Sequence, residues 1–253
     1  MSPQTTVLIT GCKSGIGKGL LSAYAARPNT TAIAAIRDAP DSPAAQALTS
    51  LPTGPGSKIL VATYDAASPT AATDLISFLQ TTHTIGTLDI VIANAGILKQ
   101  FGPAATVKSE ELLEHFTINT VAPILLYQAT TPLLNSSELV PKFFALSSSI
   151  GSNTLMDSYP MPMIAYGMSK AAVNFAAGRI HREEKRLVVV PVQPGWVQTA
   201  MGEKAAELVG MKATDVPVTL QDSVEGLMGV FDKADKESYS GKFWDQKGEV
   251  VPW

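Results

Sequence analysis

Thr5-Thr6-Val7-Leu8-Ile9-Thr10-Gly11-Cys12-Lys13-Ser14-Gly15-Ile16-Gly17-Lys18-Gly19-Leu20-Leu21 reads as strand, glycine turn and opening helix. Residues 5–10 form a β-branched, apolar run with no polar alternation, as expected of a parallel strand buried on both faces. The glycines follow without a spacer, and the helix they open can continue to Pro28. In this context glycines let the backbone approach a diphosphate closely, while free amides and the helix dipole attract its charge. Glycines also make tight strand-to-helix turns in proteins that bind nothing, so the rest of the chain has to arbitrate.

Working outward, further apolar runs at 31–36, 58–64, 88–93, 143–146, 187–192 and 242–244 alternate with helical patterns at 42–51, 69–81, 109–134, 166–186 and 219–231. Ser109 is expected to cap the third of these helices and Pro123 to kink it. Strand and helix alternating at this spacing predict right-handed βαβ units and a doubly wound parallel α/β sheet of about seven strands, with helices on both faces. At 253 residues the chain fits one domain, 1–253. Hydrophobic residues make 45%, charged residues 16%, and the formal net charge is −3, the profile of an ordinary soluble globular protein. No Lys/Arg-rich segment supports nucleic-acid or membrane-surface binding. The single Cys12 allows no internal disulfide, no metal site is read, and no leader or apolar run near eighteen residues is found. A cytoplasmic protein is the expectation.

Chemistry is expected at the carboxyl ends of the strands. The second strand ends in Ile36-Arg37, offering the adenosine ribose a guanidinium, and Lys13 in the glycine turn supplies a second cation. That pair favours NADP over NAD, since a basic side chain there binds a 2′-phosphate. The fifth strand delivers Ser147, Ser148 and Ser149. Tyr166 and Lys170 stand four residues apart, hence on one helix face. An ammonium beside a phenol is expected to lower its pKa from ~10 by roughly 1–3 units, which makes an acid for carbonyl chemistry. Asn119 lies mid-helix among apolar neighbours, where a carboxamide is costly unless hydrogen-bonded. Two stretches, 152–165 with its prolines and methionines and the long mixed 196–217, are read as loops over the site.

The glycine turn, Asn94-Ala95-Gly96, the strand-end serines, Tyr166 with Lys170, and Pro194-Gly195 occur in one order. In these the whole chain resembles the short-chain dehydrogenase/reductase superfamily. The segment Pro194-Gly195-Trp196-Val197-Gln198-Thr199 and the Pro252-Trp253 ending look like fungal ketoreductases of the norsolorinic acid kind and sniffer-like carbonyl reductases. The resemblance implies a Rossmann-like fold and NADPH-dependent reduction of a ketone or aldehyde, with oxidation of an alcohol as the reverse. It implies Tyr166 as proton donor, Ser148 as the group holding the carbonyl oxygen, with Ser147 and Ser149 as alternatives, and Lys170 at the nicotinamide ribose. Asn119 would hold a water linking Lys170 to solvent. Cofactor contacts would come from Gly11, Lys13, Ser14, Gly15, Ile16, Gly17, Arg37, Asp65, Asn94, Gly96, Pro194, Gly195, Val197 and Thr199.

Two departures qualify the likeness. Ser14 occupies the place directly before the second glycine where a basic residue is common, and Tyr166 stands eighteen positions after Ser148, more than the usual spacing. The extra length reads as an insertion at the substrate mouth. The lining expected there is Leu155, Met156, Tyr159, Met161, Met163, Trp196, Met201, Leu208 and Met211, suited to a bulky hydrophobic, polyketide-like carbonyl of secondary metabolism. A homo-oligomer, dimer or tetramer, is implied through the helices bearing Asn119 and Tyr166. The rival reading is a nucleotide-binding sensor or scaffold of this fold without turnover.

Overall fold

The structure is a computed structural model that describes residues 4–253. Seven strands, β1 (Thr5–Thr10), β2 (Thr30–Ile36), β3 (Lys58–Thr63), β4 (Ile90–Ala93), β5 (Lys142–Leu146), β6 (Val188–Gln193) and β7 (Trp244–Asp245), form one sheet in the order β3-β2-β1-β4-β5-β6-β7. Every pairing between these strands is parallel. The order reverses direction between β1 and β4, and open sheets of this kind bind ligands at the carboxyl edge of that switch point.

Side chains alternate along each strand, so the sheet feeds two cores. Val7 and Ile9 pack with α1 (Gly15–Ala25), α2 (Pro43–Thr49) and α8 (Leu220–Lys233) through Leu20, Leu48, Leu227 and Phe231. Leu8 packs on the other face with α3 (Ala71–His83), α5 (Ala122–Asn135) and α6 (Ile164–Glu183) through Leu79, Leu126 and Val173. All seven residues of β2 are buried, which is why that strand reads as a continuous apolar run. Ser42 caps α2 by accepting the Ala45 N–H, and Thr219 caps α8 by accepting the Asp222 N–H.

The expected long helix 109–134 is two helices joined by a wide turn. It comprises α4 (Ser109–Phe116), a π-helical turn Thr117–Val121 and then α5, where the Ala122 N–H reaches the Thr117 carbonyl. Pro123 explains the break: it has no N–H to give the Asn119 carbonyl, so the ladder widens in the preceding turn. Ser109 is the first helical residue rather than the cap, and the Glu111 carboxylate accepts the Lys108 N–H at 2.9 Å. Residues 196–217 are not a plain loop, because α7 (Ala200–Leu208) lies within them. The last strand pairs at Trp244–Asp245, slightly later than the 242–244 expected.

Candidate active site

The glycine turn fits a dinucleotide diphosphate on steric grounds. A Cβ on Gly17 would strike the Gly11 carbonyl and lie 2.5 Å from Asn94 Nδ2, and Gly15 is in the left-handed region at φ +56. The Ser14 side chain makes no cap hydrogen bond, and the first helical bond runs from the Lys18 N–H to the Ser14 carbonyl. The amides of Gly15, Ile16 and Gly17 are therefore left for an anion at the start of α1. Asn94 holds the turn in place: its Nδ2 donates to the Thr10 carbonyl at 2.8 Å and to the Gly11 carbonyl at 3.3 Å. Opposite the turn, Thr199 caps α7 by accepting the Gly202 N–H, and its Cγ2 lies 3.4 Å from where a Gly15 Cβ would be. Pro194, Gly195 at φ +84 and buried Val197 carry the chain from β6 to that threonine.

Arg37 is exposed at the end of β2. Its neighbour Asp38, a carboxylate that the reading of Ile36-Arg37 omitted, pairs with Lys13 at 2.8 Å. Lys13 does stand beside the carboxyl end of β2, but its charge is engaged there by Asp38. Asp65 is also exposed at the end of β3, one oxygen accepting the Ala67 N–H at 3.1 Å.

Tyr166, Lys170, Ser148 and Asn119 converge past the ends of β4 and β5. Lys170 is 5% exposed, and its Nζ donates to the Leu146 carbonyl at 2.6 Å and lies 5.6 Å from the Tyr166 ring centre. Burial pulls the ammonium down to about 8 and pushes the phenol up to about 12, with the neighbouring Ser148 hydroxyl pulling the phenol the other way. The lysine was expected to lower the tyrosine; burial raises it instead, and the Lys170 Nζ donates to a main-chain carbonyl. Of the three serines, Ser147 donates to the Lys170 carbonyl and Ser149 to Gln193 Oε1, each at 3.4 Å, so both are turned into the protein. Ser148 is the one that meets the phenol.

Asn119 is 1% exposed and its side chain is fully engaged. Its Oδ1 accepts the Ile97 N–H at 2.8 Å, while Nδ2 donates to the Ile97 carbonyl and to Ser169 Oγ, each at 3.0 Å. Gly96 sits between this carboxamide and Lys170, with space for a Cβ only 3.2 Å from Asn119 Oδ1.

Around this centre the loops are more ordered than their composition suggested. Met156, Tyr159, Met201, Leu208 and Met211 are exposed, whereas Met163 is 4% exposed and belongs to the core, so it does not line a mouth. Residues 100–102, which sequence reasoning missed, join the same rim: Gly102 bridges Met163 and its N–H donates to the Pro162 carbonyl at 2.8 Å. The Gly102-Pro103 pair was the available signal.

A family model described as short chain dehydrogenase matches residues 5–209. The chain belongs to the short-chain dehydrogenase family. It is 38% identical over 255 residues to the norsolorinic acid ketoreductase of Dothistroma septosporum, covering 100% of this chain and 94% of that one. Among solved structures it resembles an NADPH-bound carbonyl reductase from chicken fatty liver, at 26% identity and a TM-score of 0.82, covering 99% of this chain and 100% of that one. It also resembles the carbonyl reductase Sniffer of D. melanogaster, at 25% identity and a TM-score of 0.83 with the same coverage. This family member is therefore an oxidoreductase of Rossmann-like fold with a nicotinamide-cofactor site. Among the described residues no helix is long and apolar enough to cross a membrane.

Proposed function

We propose that this short-chain dehydrogenase reduces a bulky, hydrophobic ketone or aldehyde to its alcohol with NADPH, the whole chain working as one catalytic domain. The observation that carries the reading is the convergence of Ser148, Tyr166 and Lys170 beside Gly96, at the switch point of a sheet whose glycine turn accepts a diphosphate. When bound, NADPH supplies the hydride. Tyr166 gives its proton to the carbonyl oxygen, and Ser148 holds that oxygen by hydrogen bond. Lys170 orients the nicotinamide ribose and returns the proton to Tyr166. Because the Asn119 carboxamide is already engaged, what Asn119 offers a proton-relaying water is its main-chain carbonyl, freed by Pro123.

Arg37 supports NADPH over NADH as the exposed cation at the ribose end of the sheet, with Lys13 joining it once released from Asp38. The exposed methionines and Tyr159 around the mouth favour a broad apolar substrate, in keeping with the ketoreductase relative and with a place in secondary metabolism. On this reading the protein works in the cytoplasm as a homo-oligomer, dimer or tetramer. Leu113 and Phe116 on α4 and Met168 and Phe175 on α6 are exposed apolar side chains on helices that enclose the site from outside. The direct test is NADPH oxidation with a carbonyl panel, a bicyclic aryl ketone against a small keto acid. A clear kcat/KM advantage for the aryl ketone is expected. Binding of NADPH with no turnover on any carbonyl overturns the reading in favour of a sensor or scaffold.

A further inference from the structure

Residues 152–163, the loop at the substrate mouth, are fastened at both ends, and one fastening comes from the far end of the sequence. At the α6 end, Gly102 bridges Met163 and Gln100 Oε1 accepts the Ala165 N–H at 3.3 Å. At the β5 end, the Ser152 hydroxyl, 2% exposed, donates to the Pro252 carbonyl at 2.6 Å and accepts the Leu155 N–H at 3.2 Å. Thr154 gives both its donors to the Trp253 carbonyl oxygen, the N–H at 3.0 Å and the hydroxyl at 2.6 Å. The Trp253 ring stacks on Phe243 with centres 5.9 Å apart, and Phe243 is fully buried.

Those last residues belong to a short ribbon. After β7, Asp245 N–H donates to the Glu249 carbonyl, Trp244 bridges Val250 antiparallel, and the Val251 N–H returns to the Phe243 carbonyl at 2.7 Å. The ribbon also touches the other side of the site, since the Gln246 side chain lies against Gly195, with Nε2 2.9 Å from where a Cβ would be. Labour is divided along it. Val251 is 7% exposed and anchors the ribbon in the protein, whereas Trp253 keeps 45% of its surface and spends its main-chain oxygen on one loop residue.

We infer that Pro252 and Trp253 are positioning residues for substrate selection: they brace the loop bearing Leu155, Met156 and Tyr159 in the pose that admits a bulky carbonyl. Selectivity is the part that rests on the carbonyl-reductase reading; the brace itself does not. Without the two carbonyl oxygens, the buried Ser152 hydroxyl and both Thr154 donors lose their partners at the loop's first turn, and the near end of the loop is held only by its own bonds.

Three proteins test this: the full chain, a chain ending at Val251, and the full chain carrying Ser152→Ala with Thr154→Val. Amide hydrogen exchange is followed at residues 153–159 and in β4 and β5. NADPH affinity and kcat/KM for 1-tetralone and for a small aliphatic ketone are measured alongside. The brace predicts exchange at least about tenfold faster at 153–159 in both variants, with β4 and β5 unchanged. The tetralone-to-aliphatic ratio falls on the order of tenfold, mainly through KM for tetralone, while NADPH affinity is unchanged. Unchanged loop exchange, a rise spread equally over the sheet, or unaltered selectivity overturns it. If shortening the chain prevents folding, the double variant decides alone. If the full chain reduces neither ketone nor any other carbonyl of the panel, the reductase reading fails, and the exchange data still decide the brace.

Discussion

Tyr166 keeps its proton through the neutral range, because burial pushes its pKa to about 12, and that is the state a proton donor needs. Tyr166→Phe is expected to lower carbonyl reduction by ~10²–10⁴ while leaving NADPH affinity nearly intact; turnover close to that of the parent removes Tyr166 from the acid's role. Lys170 is the group expected to set the pH dependence. Burial lowers its pKa to about 8, so its charge is present below that value and lost above it. Reduction should be level on the acid side and decline as the pH passes about 8, and Lys170→Arg, whose guanidinium stays charged but cannot hand a proton on to Tyr166, should remove that decline while lowering turnover. A profile without an alkaline decline contradicts the assignment. At the ribose end, Arg37→Ala should narrow the NADPH preference by roughly ten- to a hundredfold, the worth of a charge-assisted hydrogen bond of ~1.5–3 kcal/mol. Asp38→Asn should widen it, since Lys13 loses its carboxylate partner; titrations of both cofactors against both variants check the pair of signs. The identity of these side chains was readable because helical spacing and strand ends are local properties. The directions of the two buried pKa values were not, because desolvation depends on what the fold lays over each group.

Among the elements, strands and most helices were legible from apolar runs alternating with helical patterns, although Ser109, read as a cap, is the first residue of its helix. The π turn was not, since Pro123 in sequence announces a lost hydrogen bond without saying how the ladder absorbs it. α7 was missed because 196–217 is mixed in character and its first turn is held by Thr199, a residue already spoken for as a cofactor contact. The glycine turn makes the sharpest prediction at this scale. Gly17→Ala places a methyl against the Gly11 carbonyl and Asn94, backbone and side chain that tie β1 to β4. Nucleotide affinity should fall by at least about tenfold in fluorescence titration, since the amides at the start of α1 can no longer hold their pose. Undiminished binding would show that the diphosphate lies elsewhere. For α4 and α6, Leu113→Glu with Phe175→Glu should lower the molar mass in solution by light scattering, and a parent already monomeric refutes the association.

At the scale of the molecule, one parallel sheet with a core on each face places everything reactive along a single edge. That much followed from alternating strands and helices and from motifs in a fixed order. What joins residues distant in sequence was beyond local pattern: the rim made by Gly102 with Met163, and the ribbon that returns residues 252–253 to Ser152 and Thr154. On the proposed reading, the mouth these segments enclose sets substrate choice and the centre beneath it carries the chemistry. The most direct measurement is the single-turnover rate of NADPH oxidation by 1-tetralone, parent against Tyr166→Phe, with NADPH binding measured on both. A rapid parent reaction that the variant slows by ~10²–10⁴ at equal NADPH affinity is predicted; equal rates in the two proteins, or NADPH bound by the parent and never oxidised by any carbonyl, would contradict it.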